Sequence, residues 1–286
     1  LIPNHLIRKA AFEEVMTLNN VELITNTTVS SVDSHHEQAS VRLDDGTEIL
    51  CKLLVSADSR FSETRRNMGI SASIQDYGRT AIVCRMQHEK NHQQTAFECF
   101  HYGITMALLP MPGNMSSVVI TVAANRAEEL LEMDTEAFNH FVEKELSSQL
   151  GCMQLTGQRY HYPLVGVYAD RFVATRYALI GDAAVGMHPV TAHGFNLGLK
   201  SQDILAELIA TAHNRKQDIG AAGLLELYQS KYRRISKPLY MGTNAVVKLF
   251  TSETPALKLA RKAALRFGNT FKPVKQQIMN QLTEIH

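Results

Sequence analysis

The chain is poor in the features that would set it apart from ordinary globular proteins. Its 29 Lys+Arg face 28 Asp+Glu, a formal charge of +1 over 286 residues, so no overall basic field exists to coat phosphates and a nucleic-acid partner is not expected. Four cysteines, Cys51, Cys84, Cys99 and Cys152, have no CxxC spacing. That argues against a disulfide scaffold and fits a reducing compartment, with the cytoplasm as the default. No apolar run approaches the ~20 residues of a membrane span, and the N-terminus lacks the layout of a signal peptide. Histidines such as His35, His36 and His161 lack ligand spacing or carboxylate company, so no metal is expected. No Gly-x-Ser-x-Gly elbow supports a hydrolase. Among 16 glycines no two are one residue apart, so a GxGxxG phosphate loop is missing from this stretch of chain.

What is present is 45% hydrophobic residues arranged in periodic runs. Leu6, Ile7, Ala10, Ala11, Phe12 and Val15 predict a short amphipathic helix over 5–17. The runs Val21–Ile24, Thr28–Val32, Ser40–Leu43 and Ile49–Ser56 read as a β-meander turned at Asp44-Asp45-Gly46, with Lys52–Ser56 apolar enough for an internal strand. Thr80–Arg85, Ala96–His101, Ile104–Leu109 and Ser116–Val122 predict a separate antiparallel sheet punctuated by Pro110, Pro112 and Gly113. Asp134 is placed to cap a helix bearing Phe138, Phe141, Val142 and Leu146, which Gly151 stops. Ala178–Ile180 reads as a buried strand, and a helix starts near Gly194 with Ile204, Leu205, Leu208 and Ile209 inward. Leu224–Tyr232, Leu239–Phe250 and Leu257–Phe267 are helical in pattern.

Two strand ends carry the residues with chemistry. The first is Gly181-Asp182-Ala183-Ala184-Val185-Gly186-Met187-His188-Pro189, running on through Val190-Thr191-Ala192-His193 to Gly194-Phe195-Asn196-Leu197-Gly198. A carboxylate at a strand end accepts hydrogen bonds from a hydroxyl chain, small residues admit a flat ligand, and the following helix turns free N–H groups and a positive dipole end toward it. A surface loop followed by a helix cap fits the same spacing. The second is Leu54-Val55-Ser56-Ala57-Asp58-Ser59-Arg60-Phe61-Ser62-Glu63-Thr64-Arg65-Arg66, which is also compatible with a plain strand–turn–helix.

The first stretch resembles the ribityl- and isoalloxazine-binding motif of FAD-dependent aromatic hydroxylases of the para-hydroxybenzoate hydroxylase type, and its His-Pro-Val and Gly-Phe-Asn-Leu-Gly core is similar to the ubiquinone-biosynthesis branch. The second resembles that family's Asp-Gly motif, with Asp58, Ser62 and Arg65 at the matching offsets. The resemblance extends over nearly the whole chain, including Phe97–Pro110 and the helix with Tyr228-Gln229 and Arg233-Arg234. It implies a fold of α/β plus α+β type: a partial Rossmann-like FAD-binding domain of the glutathione-reductase kind, an antiparallel-sheet substrate domain and a helical C-terminus. The implied division is 1–75 and 171–215 for the FAD-binding domain, 76–170 for the substrate sheet and 216–286 for the helical region. The family's opening strand–GxGxxG–helix has no counterpart here and the first residue is Leu1, so an N-terminal truncation is expected.

The implied activity is hydroxylation of an aromatic ring, with a polyprenyl phenol or quinol first choice, FAD and NAD(P)H as cofactors and O2 as co-substrate. By the same resemblance Gly181, Asp182, Pro189, Gly194, Phe195, Asn196, Asp58, Arg65 and Arg8 are the cofactor-binding candidates, and Phe97, Phe100 and Leu109 the walls of the substrate pocket; no catalytic base is named. Ser59 stands where the family has Gly, Val185 where it has His, Ala192-His193 where it has Gly-Gln and Ser201 where it has Asp. Another flavoenzyme on the same fold, a reductase or halogenase, and a non-enzymatic lipid- or protein-binding scaffold are the alternatives. The segment 255–277 has six basic residues and no acidic one, a composition for peripheral contact with an anionic inner membrane or for a solvated helix alike. Self-association, or membership of a biosynthetic complex, stays open.

Overall fold

The computed structural model describes residues 2–101, 103–191 and 193–251. The elements in chain order are α1 (Asn4–Val15), β1 (Val29–Ser34), β2 (Ala39–Leu43), β3 (Glu48–Cys51), β4 (Leu54–Ser56), α2 (Glu63–Asn67), β5 (Ala72–His88), β6 (Phe97–His101), β7 (Ile104–Met111), β8 (Met115–Ala123), α3 (Ala124–Glu132), α4 (Thr135–Glu145), β9 (Met153–Ala169), β10 (Val173–Ala174), β11 (Tyr177–Leu179), α5 (Gly181–Ala184), β12 (Val185–Gly186), α6 (Gly194–Asn214) and α7 (Ala222–Thr251). They divide into two compact units, one from the residues up to Val32 with Ser40–Leu50 and Ile74–Gly166, the other from Asp33–Ala39, Cys51–Ser73 and Val167 onward. The mixed α/β class with antiparallel sheets and a helical C-terminal part is the one expected.

In the first unit the strands lie in the order β9-β5-β8-β7-β6. Burial alternates along β8, with Ser116, Val118, Ile120 and Val122 inward, as a half-buried strand requires. Onto that face pack Leu130 of α3 and Phe138 and Val142 of α4, all buried. The Asp134 side chain accepts from Ala137 N at 2.8 Å and starts α4 as the sequence predicts. Arg159 of β9 donates to the carbonyls of Leu130 (2.7 Å) and Met133 (2.6 Å), closing the end of α3, while its guanidinium lies 4.8 Å from the Phe138 ring centroid.

In the second unit β10-β11-β4 form a three-stranded sheet. Tyr177, Ala178 and Leu179 of β11 are fully buried with Phe172, Tyr228 and Tyr232, and the Tyr228 hydroxyl donates to Leu179 O at 2.6 Å. The far end of β9 pairs with β12, Tyr168 opposite Val185.

Several expectations are corrected. Val21–Ile24 forms no strand; with Val21 45%, Leu23 47% and Ile24 48% exposed, the segment has neither a ladder partner nor a face to bury. The run Ile49–Ser56 breaks at Lys52-Leu53 into β3 and β4, and β4 is the end strand of its sheet among the described residues rather than an internal one. Pro110 lies inside β7, opposite Ser116. The two helices expected across Leu224–Phe250 are one, because packing of Tyr228 and Tyr232 before Pro238 and of Tyr240 after it outweighs the bond and the clash that proline introduces. Helix α3 and most of β9 had no expectation; the middle of β9 is exposed and polar, so its sequence lacks the alternation that marks a strand. The helix expected at Leu257–Phe267 and the basic segment 255–277 lie outside the described residues.

Replacing Asp134 by Ala should destabilise the first unit by about 1 kcal/mol, the usual worth of an N-cap. Urea unfolding followed by circular dichroism checks this, and an unchanged midpoint contradicts the cap assignment.

Candidate flavin site

Strands β4 and β11 are neighbours and parallel, with Leu54 opposite Tyr177, Val55 opposite Ala178 and Ser56 opposite Leu179. The pairing continues past their ends, where Ile180 N donates to Ser56 O at 2.9 Å. The turn carrying Asp58 and the turn carrying Asp182 therefore leave the same edge of the sheet, side by side, which is where open parallel sheets bind ligands.

The Asp58 turn is held from within. The Ser56 hydroxyl donates to Asp58 Oδ1, while the backbone N–H (3.1 Å) and hydroxyl (2.9 Å) of Thr64 donate to Oδ2. Tyr177 Oη lies 3.0 Å from Thr64 Oγ1 and donates to it, since the threonine proton goes to Asp58. Burial opposes ionisation of Asp58, but donors from Ser56, Ser62 and Thr64 outweigh it and hold the carboxyl below its ordinary range. Ser62 caps α2 by accepting from Arg65 N at 2.9 Å. Arg65 is buried and donates to Arg60 O (3.2 Å) and, across to the other turn, to Ala183 O (2.9 Å). Asp58, Ser62 and Arg65 thus shape the site and tie its two halves together; the Asp58 carboxylate, the Ser62 hydroxyl and Arg65 Nη1 are engaged by the protein itself, while the buried Arg65 Nε has no hydrogen-bond partner.

Asp182 differs, because its partly exposed carboxylate is held from the neighbouring turn rather than from its own. Arg60 Nη2 donates to Oδ2 at 2.7 Å, leaving Oδ1 as an acceptor. Before it, Gly181 has φ +57° with nothing within 4 Å of a built Cβ. The Gly181 N–H donates to Ser201 Oγ (3.0 Å), and the Ser201 hydroxyl donates to Gly198 O (2.5 Å). Ser201 thus staples the start of α6 to the Asp182 turn, whereas a Cβ at Gly198 would stand 3.5 Å from Gly181 Cα.

Helix α6 begins at Gly194 as expected, has no acidic residue in its first turn and has no side-chain cap. Its first N–H groups have no partner inside the helix, and no acidic side chain of its own first turn offsets its positive end. Phe195 is 57% exposed beside exposed Asn196, and His193 Nδ1 is buried without a hydrogen-bond partner. Pro189 is exposed on a single 3-10 turn, and His188 Nδ1 accepts from Val190 N at 3.1 Å.

These features are compatible with the ribityl-and-ring half of a flavin: a partly exposed carboxylate, open space beside Gly181 and Gly194, a helix start without a side-chain cap and an exposed aromatic. Arg8, by contrast, is an exposed residue of α1 in the first unit. Phe97 packs on the helix-covered face of its sheet, opposite Leu108, while Leu109 projects from the other face. Phe97 and Leu109 therefore cannot line one wall. The backbone of Phe100 pairs with Thr105; its side chain lies outside the described residues. The residues with no expected role are Arg60, Thr64, Tyr177, Gly186 and Ser201. Arg60 and Thr64 lay inside the quoted motif, but nothing local marks their partners more than a hundred positions away.

A family model described as FAD binding domain matches residues 4–243. The chain belongs to the FAD binding domain family. Within it, the chain is similar to ubiquinone hydroxylase UbiM of Neisseria meningitidis, with 52% identity over 283 residues, 99% of this chain and 61% of that protein. It is also similar to ubiquinone hydroxylase UbiL of Rhodospirillum rubrum, with 34% identity over 279 residues, 98% of this chain and 65% of the other. The chain spans about three fifths of the length of the curated relatives it matches. Among solved structures, p-nitrophenol 4-monooxygenase PnpA from Pseudomonas putida superposes with a TM-score of 0.77 at 16% identity, over 99% of this chain and 72% of that one, a likeness of fold.

Ser59, where the family has Gly, has φ +75°. Ser59→Gly should therefore raise the stability of this unit by about 1 kcal/mol through relief of left-handed strain; a lower unfolding midpoint would contradict the strain. The depressed Asp58 carboxyl contributes stability that is present above about pH 4 and lost as the pH falls through its lower folded value. Asp58→Asn should flatten that acid limb in a pH series of melting temperatures, and an unchanged slope would contradict the assignment.

Proposed function

We propose that the chain is the ribityl- and ring-binding part, with the substrate sheet, of a flavin-dependent monooxygenase that hydroxylates an aromatic ring, a polyprenyl phenol or quinol of ubiquinone biosynthesis. The observation that carries the reading is the parallel pairing of β4 with β11, which opens both motif turns at one edge. The 52% identity to a ubiquinone hydroxylase supports the substrate class. In this reading 1–75 and 171–215 carry the cofactor, 76–170 the substrate sheet and 216–286 the helical region.

When bound, FAD supplies the redox chemistry: electrons from NAD(P)H reach O2, one oxygen atom goes to the ring carbon and the other leaves as water. The protein's own part is placement and charge. Asp182 Oδ1 accepts from a ribityl hydroxyl. The N–H groups from Gly194 to Asn196 and the positive end of α6 would favour an anionic group bound there by roughly 0.3–1 kcal/mol, up to ~2 where water is excluded. Pro189 and Phe195 border the ring. On the substrate side, the wall is the face of the sheet that carries Leu109, Ala107 and Val119, away from the helices, in place of one containing Phe97. Among the described residues no helix is long and apolar enough to cross a membrane; the basic composition of 255–277 suits peripheral contact with an anionic surface and a solvated helix alike.

Riboflavin and FAD titrations followed by flavin fluorescence test the binding reading. The wild-type chain should quench both saturably, and Asp182→Ala should raise Kd tenfold or more, the worth of a hydrogen bond to a charged group. Absence of saturable quenching overturns the reading. Incubation of the full-length gene product with FAD, NAD(P)H, 18O2 and a prenylated phenol should give a product heavier by one labelled oxygen; NAD(P)H oxidation without such a product contradicts the hydroxylase.

A further inference from the structure

Arg60 and Asp182 come from different turns, 122 residues apart in sequence, and meet at 2.7 Å. Both side chains are partly exposed, at 24% and 35%, and a pair in such a setting contributes little to stability, because water screens it and two side chains lose freedom to make it. What it does fix is direction. One oxygen of Asp182 is committed to the guanidinium, which narrows the directions in which Oδ1 can point.

The backbone is built around this arrangement. A Cβ on Gly186 would stand 3.0 Å from Arg60 Cβ, so only glycine leaves the arginine where it lies. The Arg60 carbonyl in turn accepts from Arg65, which also holds Ala183 next to Asp182. The arginine is thus anchored at its backbone, flanked at its Cβ and ion-paired at its tip.

We propose that Arg60 is a positioning residue: it orients Asp182 so that the free carboxylate oxygen is presented to a polyol chain, and Gly186 is the small residue that lets it do so. The proposal rests on the flavin reading above and deepens it, since it assigns the orientation of the acceptor to a side chain from the neighbouring turn. The contact is a single Nη2–Oδ2 bond; an arginine suits it because its rigid planar guanidinium gives that donor a fixed direction, whereas lysine supplies charge on a flexible stem.

Riboflavin, which has the ribityl chain and no phosphate, separates this role from a direct contact with phosphate. In fluorescence titrations with the full chain, Arg60→Ala should weaken riboflavin, FMN and FAD by the same factor, about fivefold or more, while Arg60→Lys recovers part of the loss. In an Asp182→Asn background, Arg60→Ala should have no further effect, the signature of coupled residues. Gly186→Ala should weaken riboflavin in the same direction, and its effect should vanish in the Arg60→Ala background. Melting temperatures of the flavin-free variants should stay close to wild type, showing that the loss is not unfolding. A loss confined to FMN and FAD, or one that persists in full with Asp182→Asn, overturns the positioning role while leaving the flavin reading intact. A wild-type chain that binds none of the three overturns the reading and the proposal with it.

Discussion

Everything at the candidate site depends on two short parallel strands lying side by side. Three paired positions, ending in Ser56 opposite Leu179, bring together residues that the sequence separates by the whole of the antiparallel sheet from β5 to β9. The parallel direction matters as much as the adjacency, because it puts both C-terminal ends, and so both acidic turns, on one edge. The buried hydroxyl and guanidinium contacts then lock what the strands align: Tyr177 to Thr64 across the strands and Arg65 to Ala183 across the turns. An antiparallel pairing of the same residues would send Asp58 and Asp182 to opposite ends.

Within that frame the two carboxylates do different work. Asp58 takes all its hydrogen bonds from its own loop and is structural, and its depressed pKa reflects those donors rather than a ligand. Asp182 is partly exposed and is held through one oxygen by a guanidinium from the neighbouring turn. The uncapped start of α6 supplies the complementary charge, and Ser201 fastens that helix end to the same turn.

The two strand ends were legible in the sequence because their signals are local: an apolar run, then Gly-Asp or Ala-Asp-Ser, then a capping Ser62 or a glycine at the helix start. Asp134 and the face of α4 were legible for the same reason. What stayed hidden depends on long-range register. Phe97 and Leu109 look equivalent as apolar residues on neighbouring strands, yet the pairing of Phe97 with Leu108 puts Phe97 and Leu109 on opposite faces. The middle of β9 is polar and exposed, so no period marked it, and Pro238 signalled a break that aromatic packing on both sides of it overrides. The partner of Arg60 could not be read from its motif, because an ion pair between two turns leaves no spacing in sequence.

Hydrogen exchange with and without riboflavin tests the central claim most directly, since protection reports on both turns at once. The account predicts slower exchange on binding in 57–64, in 180–186 and in the first turn of α6 together, with the sheet around Ile82 and Ile120 unchanged. Protection of one turn without the other would contradict the single shared site.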